Sequence, residues 1–146
     1  MLDEIILGAV QASPVIFNRE ASCEKAVKLI HKAGSLGVRL AVFGETWLPG
    51  YPWFNVAWAE PMGQEAAIDY LASGVTIPGP CTDYLCQAAK ESCCDVVIGV
   101  AELDSVSVGT IYATCLFISS EGKILGKHRK IKPTATERIM WGEGDG

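Results

Sequence analysis

The sequence predicts an α/β fold with a mixed β-sheet, and three observations lead to that prediction. Short apolar runs closed by turn residues lie at 5–12, 38–43 and 95–103, which is the pattern of buried strands. A helical repeat separates the first two runs, and strand–helix–strand at this length predicts a parallel pair joined by a crossover helix. Two later runs, at 110–119 and 123–131, flank a Ser-Glu-Gly turn and predict an antiparallel hairpin. We therefore expect the order β-α-β-α-α-β-β-β, with helices on one face of the sheet.

The helices are predicted from their start signals, stop signals and apolar faces. Asn18 can cap the first helix, Glu20 lies in its favourable first turn, and Gly37 marks its end. Apolar residues between these points recur at steps of three and four, so one face of this helix should pack on a core. Shorter helices are expected at 64–72 and 82–91, separated by a proline-rich turn.

Composition and charge argue against several classes of protein. Seventeen acidic residues against twelve basic ones give a formal charge of −5, which disfavours a nucleic-acid partner. No apolar run reaches the roughly 18 residues of a membrane span, and the first run is too short for a signal peptide, so we expect a cytoplasmic location without membrane contact. In that reducing setting the six cysteines should be thiols. Their spacing, and that of the two histidines, fits no zinc pattern, so we expect neither a metal nor a cofactor.

Glu45 follows the second predicted strand and opens an aromatic-rich connection at 46–61. A carboxylate at the carboxyl end of a parallel strand lies where open α/β sheets bind ligands. From position alone, a helix-capping or solvated acid is about equally well supported. The next eight residues hold two prolines and a glycine, which would fix the loop, and aromatic residues that could wall an apolar small-molecule pocket. The loop therefore favours a ligand site.

The basic stretch KHRKIKPT, at 127–134, is the second candidate for a functional site. An isolated basic run is usually a solvated face. Strand alternation, however, sends Lys130 to the face opposite its neighbour Arg129. Lys130 lies near the strand end and could point into the same cleft as Glu45, and Glu137 follows it by seven residues. Two carboxylates beside one ammonium would keep that ammonium charged and in place.

These stretches resemble the two upstream signatures of the nitrilase family of carbon–nitrogen hydrolases. The first is FGETWLPGYP at 43–52, and the second is KHRKIKPT at 127–134. Glu137 with Arg138, and the WGEGDG string at 141–146, fit the stretch that follows in the nitrile-hydrolysing branch. The similarity runs along the whole chain in the expected order. It implies the N-terminal half of an α-β-β-α sandwich.

The resemblance also implies roles for three residues: Glu45 as general base, Lys130 as catalytic lysine and Glu137 as the supporting second glutamate. The family's nucleophilic cysteine lies in a third signature that no stretch here matches, so residues 1–146 are expected to be a partial domain that ends before it. Cys115 is expected to be a small core residue. The implied reaction converts a small nitrile to a carboxylic acid and ammonia through a cysteine thioimidate and thioester. The isolated chain should be inactive, and the complete protein should be a homo-oligomer.

The chain departs from the family pattern at three positions. Gly44 replaces the usual proline before Glu45 and loosens the backbone there, and Ala113 replaces a common asparagine. Thr136 precedes Glu137 where a larger residue is frequent. The first two could impair an active site, but none of the three removes a catalytic group.

Two other functions stay open at the level of sequence. An amidase or carbamoylase of the same superfamily uses the same Glu–Lys–Cys groups, although the loop at 46–52 and the ending at 141–146 favour nitriles. A non-catalytic fragment that only binds complete subunits would show no activity alone. In each case, half of a sandwich should expose an apolar sheet face and an unpaired strand edge.

Overall fold

The computed structural model describes residues 4–146 and contains a five-stranded sheet whose strands lie side by side in chain order. The strands are β1 Leu7–Ala9, β2 Leu40–Val42, β3 Asp95–Leu103, β4 Ile111–Ile118 and β5 Ile124–Arg129. β1, β2 and β3 are parallel to one another, whereas β3, β4 and β5 alternate in direction. The predicted α/β fold with a mixed sheet is confirmed.

Within residues 4–146, three α-helices and two short 3-10 helices complete the fold. They are α1 Arg19–Ser35, α2 Pro61–Ala72 and α3 Pro80–Glu91, with 3-10 helices at Trp53–Ala57 and Ala135–Ile139. Asn18 caps α1 as expected, because its Oδ1 accepts a hydrogen bond from the backbone of Ala21 at 2.9 Å. Gly37 follows α1 with a φ of 74°, the left-handed conformation that ends a helix. α2 and α3 begin earlier than the sequence predicts, since a proline opens each of them where no helical hydrogen bond is lost.

One face of the sheet is covered by α1 and α3, and we call it the closed face. The aliphatic residues that β2, β3 and β4 direct to this face are buried: Ala41, Val96, Ile98, Val100, Leu116 and Ile118. Ile30 of α1 and Leu85 of α3 pack against them and are fully buried. The apolar stripes of the two helices and the alternation of the strands therefore meet in one main core.

The opposite face is the open face, and only one end of it is covered. At the carboxyl end of the parallel strands, Ala101 and Ala113 form a second, smaller core with Tyr70 of α2 and Trp141. This small core holds the loops of the functional site against the sheet.

The rest of the open face carries an uncovered apolar row. The strand register places Val42 beside Val97 and Val97 beside Phe117. Val42 is 40% exposed, Phe117 is 36% exposed and Val97 is half-buried. The expected apolar surface is thus present among residues 4–146.

The first strand differs from its prediction. The sequence predicts a buried strand at 5–12, but β1 covers only Leu7–Ala9, and Leu7 is 67% exposed. Leu7 pairs with Leu40 and shares its orientation toward the open face, where nothing in the described residues covers it. The strand was predicted correctly, but its burial was predicted wrongly. The apolar run alone does not show whether a second layer covers the open face at β1.

None of the helices in residues 4–146 has the length and apolar character that crossing a membrane requires. The cytoplasmic location stays a prediction.

Candidate active site

Glu45 lies on a loop that crosses the open face just after β2. The loop turns at Thr46, whose φ of 39° lies in the left-handed region. It passes so close to β3 that a Cβ at Gly99 would lie 2.3 Å from the carbonyl oxygen of Gly44 and 2.4 Å from the amide nitrogen of Thr46. Glycine at position 99 therefore lets the loop rest on the strand, and this contact sets the position of Glu45.

Lys130 directly follows β5 and is held through its backbone on both sides. Its amide nitrogen donates to the carbonyl oxygen of Ala113 at 2.8 Å, and its own carbonyl oxygen accepts from the amide of Gly144 at 3.0 Å. A Cβ at Gly144 would lie 2.7 Å from that carbonyl oxygen, so this approach requires glycine. The backbone of Lys130 is thus fixed between β4 and the segment around Gly144.

The neighbouring Arg129 points to the closed face, where Glu102 anchors it. Arg129 Nη2 and Nε donate to the Glu102 carboxylate at 2.6 and 3.1 Å, and Thr114 Oγ1 donates to it at 2.7 Å. Lys127 forms a further ion pair with Glu102, which is 1% exposed. We call Glu102, Lys127 and Arg129 the Glu102 cluster. Because it holds β5 one residue before Lys130, it directs the lysine toward the open face.

The three residues selected from the sequence come together, although 85 positions separate Glu45 from Lys130. Lys130 Nζ lies 2.7 Å from Glu45 Oε1 and 2.8 Å from Glu137 Oε2. The Glu45 side chain is 48% exposed, that of Lys130 28% and that of Glu137 7%. We call these residues the Lys130 cluster, and it opens to solvent on the side of Glu45.

Glu137 is the more firmly held of the two carboxylates. Its Oε2 also accepts from the backbone of Thr134 at 2.6 Å, and its Oε1 accepts from the hydroxyl of Tyr51 at 2.7 Å. Burial raises the pKa of Glu137, but the hydrogen bonds from Lys130, Thr134 and Tyr51 outweigh it and leave the pKa below its ordinary value. Glu137 is therefore an anion with both oxygens occupied, suited to holding Lys130.

The donors around Glu137 stay protonated at neutral pH. Burial lowers the pKa of Lys130, but the adjacent carboxylates of Glu137 and Glu45 raise it to above its ordinary value. Burial and the hydrogen bond to Glu137 raise the pKa of Tyr51 to about 12. The site therefore offers a fixed ammonium beside one exposed carboxylate.

Aromatic rings form one wall of the site. The Tyr51 ring centroid lies 4.7 Å from that of Trp53 and 5.4 Å from that of Trp141. Lys130 Nζ lies over the Trp141 ring at 5.4 Å. Trp53 is 74% exposed and Trp141 is buried, so the wall continues from the small core out to solvent.

The sequence suggested that the aromatic residues of the loop could wall a pocket together. The structure instead divides them between the site and the main core. Trp47 is buried in the main core against Phe43, and its Nε1 donates to the carbonyl oxygen of Ala12 at 2.6 Å. Trp47 therefore fixes the loop to the segment that follows β1 and does not wall the site.

The three departures from the family pattern leave the Lys130 cluster assembled. A Cβ at Gly44 would meet no atom within 4 Å, so crowding does not impose glycine there. Ala113 is buried in the small core, and Thr136 is exposed.

Sequence reasoning missed three residues that support the site: Glu102, Trp141 and, as a hydrogen-bond donor, Tyr51. Glu102 had a signal, since it is the one acid in the apolar part of a buried strand, and Arg129 is a base on the same face of the hairpin. Tyr51 was named only as part of an aromatic loop, and a loop contact over 86 positions has no local signal.

In residues 4–146, no cysteine is hydrogen-bonded to the Lys130 cluster; their thiol hydrogen bonds go to backbone carbonyls elsewhere. Cys115 was expected to be a buried core residue, and the structure shows it half-buried. Burial raises the pKa of its thiol, so this thiol is not activated. The same described residues hold no group of three His, Cys, Asp or Glu side chains arranged to bind a metal ion.

Comparison with known proteins places this geometry in context. The chain matches the carbon-nitrogen hydrolase family over residues 6–146. It is 57% identical over 143 residues to Nitrilase 2 of an unknown prokaryotic organism, covering 97% of this chain and 45% of that protein. It is 42% identical over 144 residues to an aliphatic nitrilase of Sinorhizobium fredii (strain HH103), covering 95% of this chain and 46% of that protein. The chain therefore spans a little under half the length of these relatives.

A solved structure shows the same fold at low identity. The crystal structure of an amidase from Nesterenkonia sp. superposes with a TM-score of 0.69 and 14% sequence identity, covering 97% of this chain and 49% of that one. The likeness supports the fold, and again it covers about half of the longer chain.

Proposed function

This chain belongs to the carbon-nitrogen hydrolase family, and from that membership we propose that the whole protein hydrolyses a small nitrile to a carboxylic acid and ammonia. The observation that carries the proposal is the position of Lys130 Nζ, 2.7 Å from Glu45 and 2.8 Å from Glu137. A fixed ammonium can stabilise charge on a substrate nitrogen, and an exposed carboxylate beside it can accept and return a proton. The sequence similarity to nitrilases favours a nitrile over an amide.

The proposed nucleophile is a cysteine thiolate supplied by sequence after residue 146, because a nitrile carbon is a poor electrophile for water alone. The thiol adds across the carbon–nitrogen triple bond and gives a thioimidate. One water releases ammonia and leaves a thioester, and a second water releases the acid and restores the thiol. Two waters are consumed for each nitrile.

The residues of the Lys130 cluster divide this work. Glu45, the exposed carboxylate, takes the thiol proton and later activates water. Lys130 stabilises the negative charge that develops on the nitrile nitrogen. Glu137 holds Lys130 in position, and Tyr51 holds Glu137. The apolar group of the substrate would lie along the aromatic wall formed by Tyr51 and Trp53. The complete protein is expected to be a homo-oligomer.

The first test uses the chain of 146 residues as it stands. We expect no ammonia release from a panel of aliphatic and aromatic nitriles, because each route to the acid begins with a thiolate that the Lys130 cluster lacks. Turnover that survived purification and disappeared in Cys115→Ala would show that the nucleophile is assigned to the wrong part of the sequence.

The second test uses a chain extended through the nucleophilic cysteine. Lys130→Ala should lower turnover of the best nitrile about a hundredfold, which corresponds to about 3 kcal/mol of transition-state stabilisation. Lys132→Ala is the matched control, because Lys132 carries the same charge two residues away and its side chain is 63% exposed. Near-normal kinetics for Lys130→Ala would mean that the basic stretch at 127–134 is only a solvated face. Activity on amides and not on nitriles would mean that the protein is an amidase.

A further inference from the structure

A cavity lies between α1 and α3, on the far side of the sheet from the Lys130 cluster. Its volume is about 700 Å³, and its lining combines charged and apolar side chains with two thiols. Cys23 of α1 and Cys81 of α3 supply the thiols. The mechanism proposed above uses neither residue, so this pair needs its own explanation.

The two cysteines are direct neighbours although 58 positions separate them. The Cys23 thiol donates to the carbonyl oxygen of Cys81, with the sulfur 3.5 Å from that oxygen. Cys23 is 4% exposed and Cys81 is 9% exposed. Both therefore line the cavity while exposing little of their own surface to it.

The neighbouring thiols differ in their readiness to ionise. The neighbouring Cys81 side chain lowers the pKa of Cys23 and outweighs the effect of burial, which raises it. The same contact, together with burial, raises the pKa of Cys81 far above its usual range. Burial raises the pKa of Cys86, Cys94 and Cys115, which have no such partner. Of the two, Cys23 is the thiol that ionises more readily, and Cys81 is the thiol next to it.

We propose that Cys23 and Cys81 form an oxidation site for a small hydroperoxide, which converts them to an intramolecular disulfide that ties α1 to α3. The Cys23 thiolate attacks the peroxide oxygen, the O–O bond breaks, and Cys23 becomes a sulfenic acid as hydroxide or alkoxide leaves. The Cys81 sulfur then attacks the sulfenic sulfur, the S–O bond breaks, and water leaves. Two thiols and one hydroperoxide give one disulfide, one water and one further water or alcohol.

The structure favours a hydroperoxide over a bulky disulfide as the oxidant. Cys23 and Cys81 are both nearly fully buried, so a bulky reagent cannot bring its own sulfur against either of them, whereas a hydroperoxide presents only a terminal oxygen. The exposed Cys93 is the natural site for a large reagent, and it lies at the end of α3, away from the cavity lining.

The test is disulfide mapping of the folded chain after hydrogen peroxide treatment near neutral pH. The chain is then unfolded in denaturant, the remaining thiols are blocked with N-ethylmaleimide, and the chain is digested without reduction by trypsin and chymotrypsin. Cleavage after Tyr84 separates Cys81 from Cys86, so the partner of Cys23 is unambiguous. We expect a linked peptide pair containing Cys23 and Cys81, which dithiothreitol returns to free thiols.

Matched variants sharpen the result. Cys86→Ser should leave the linkage intact, whereas Cys81→Ser should stop it and leave Cys23 as an unresolved sulfenic acid that dimedone traps once the chain is unfolded. Oxidation should raise the denaturant midpoint of the wild-type chain and not that of Cys81→Ser. Three results would overturn the proposal. Peroxide could leave both thiols free, or it could overoxidise Cys23 without forming a link. It could also join other cysteines while Cys23 and Cys81 still react with maleimide. Mapping of the wild-type chain decides this even if a variant fails to fold.

Discussion

The two faces of the central sheet carry alternate residues of the same strands, yet each handles charge differently. On the closed face, Glu102 is 1% exposed and takes hydrogen bonds from Arg129, Lys127 and Thr114. On the open face, Lys130 is the shared centre, and Glu45 keeps about half of its side chain in solvent. Arg129 and Lys130 are adjacent in sequence, so the layer that covers each face decides what its charge can do. An enclosed charge holds strands together, whereas a partly uncovered one is free to meet a ligand.

The largest expected contrast comes from removing one carboxylate on each face. Glu102→Ala should destabilise the fold by about 3 kcal/mol, because it leaves the partly buried Arg129 with only its longer ion pairs, to Asp104 at 3.3 Å and Asp145 at 3.8 Å. Glu45→Ala should change the free energy of unfolding by about 1 kcal/mol or less, because its ion pair is half exposed. Denaturant unfolding of both variants measures this difference. Equal losses would mean that the faces do not differ in the way their cover suggests.

A second contrast compares neighbouring apolar residues of β4. Leu116→Ala on the closed face should cost about 2–5 kcal/mol, because Leu116 is fully buried and its loss leaves a cavity. Phe117→Ala on the open face should cost about 1 kcal/mol or less and should reduce binding of a hydrophobic dye, since Phe117 is 36% exposed. Unfolding free energies and dye fluorescence give the two readings. A large loss for Phe117→Ala would indicate that a partner already covers the open face.

The smallest expected effect sharpens the account of the open face itself. Glu137 has a depressed pKa, so its contribution to stability is present above its ordinary pKa and is lost as the pH falls through the folded value. Tyr51→Phe removes one hydrogen bond that lowers this pKa, so the acid loss should be smaller and should be complete at a higher pH, with a cost of about 1 kcal/mol at neutral pH. Unfolding free energy as a function of pH measures the shift. Tyr84→Phe, which alters an exposed tyrosine of α3, should leave the profile unchanged.

Local patterns in the sequence were sufficient for the elements and for the composition of the Lys130 cluster. The strand-end position of Glu45, the alternation that turns Lys130 away from Arg129, and the spacing to Glu137 all survive in the structure. The catalytic roles stay predictions. Local patterns did not show whether another layer packs over a given part of the sheet. The apolar run that contains Leu7 looks the same whether a second layer is present or absent. Trp47 and Tyr51 were not separable either, since their different partners, Ala12 and Glu137, are remote in sequence.

Gly99 shows how a site can depend on a residue with no functional group. Since a Cβ at this position would press into the backbone of Gly44 and Thr46, even alanine would push the Glu45 loop away from β3. A scan of all single substitutions should therefore rank position 99 among the least tolerant, beside residues that handle protons. Tolerance alone would not tell the two kinds apart. Conservative replacement would, because a weakened acid can be partly restored by another acid, whereas no side chain is small enough to restore glycine.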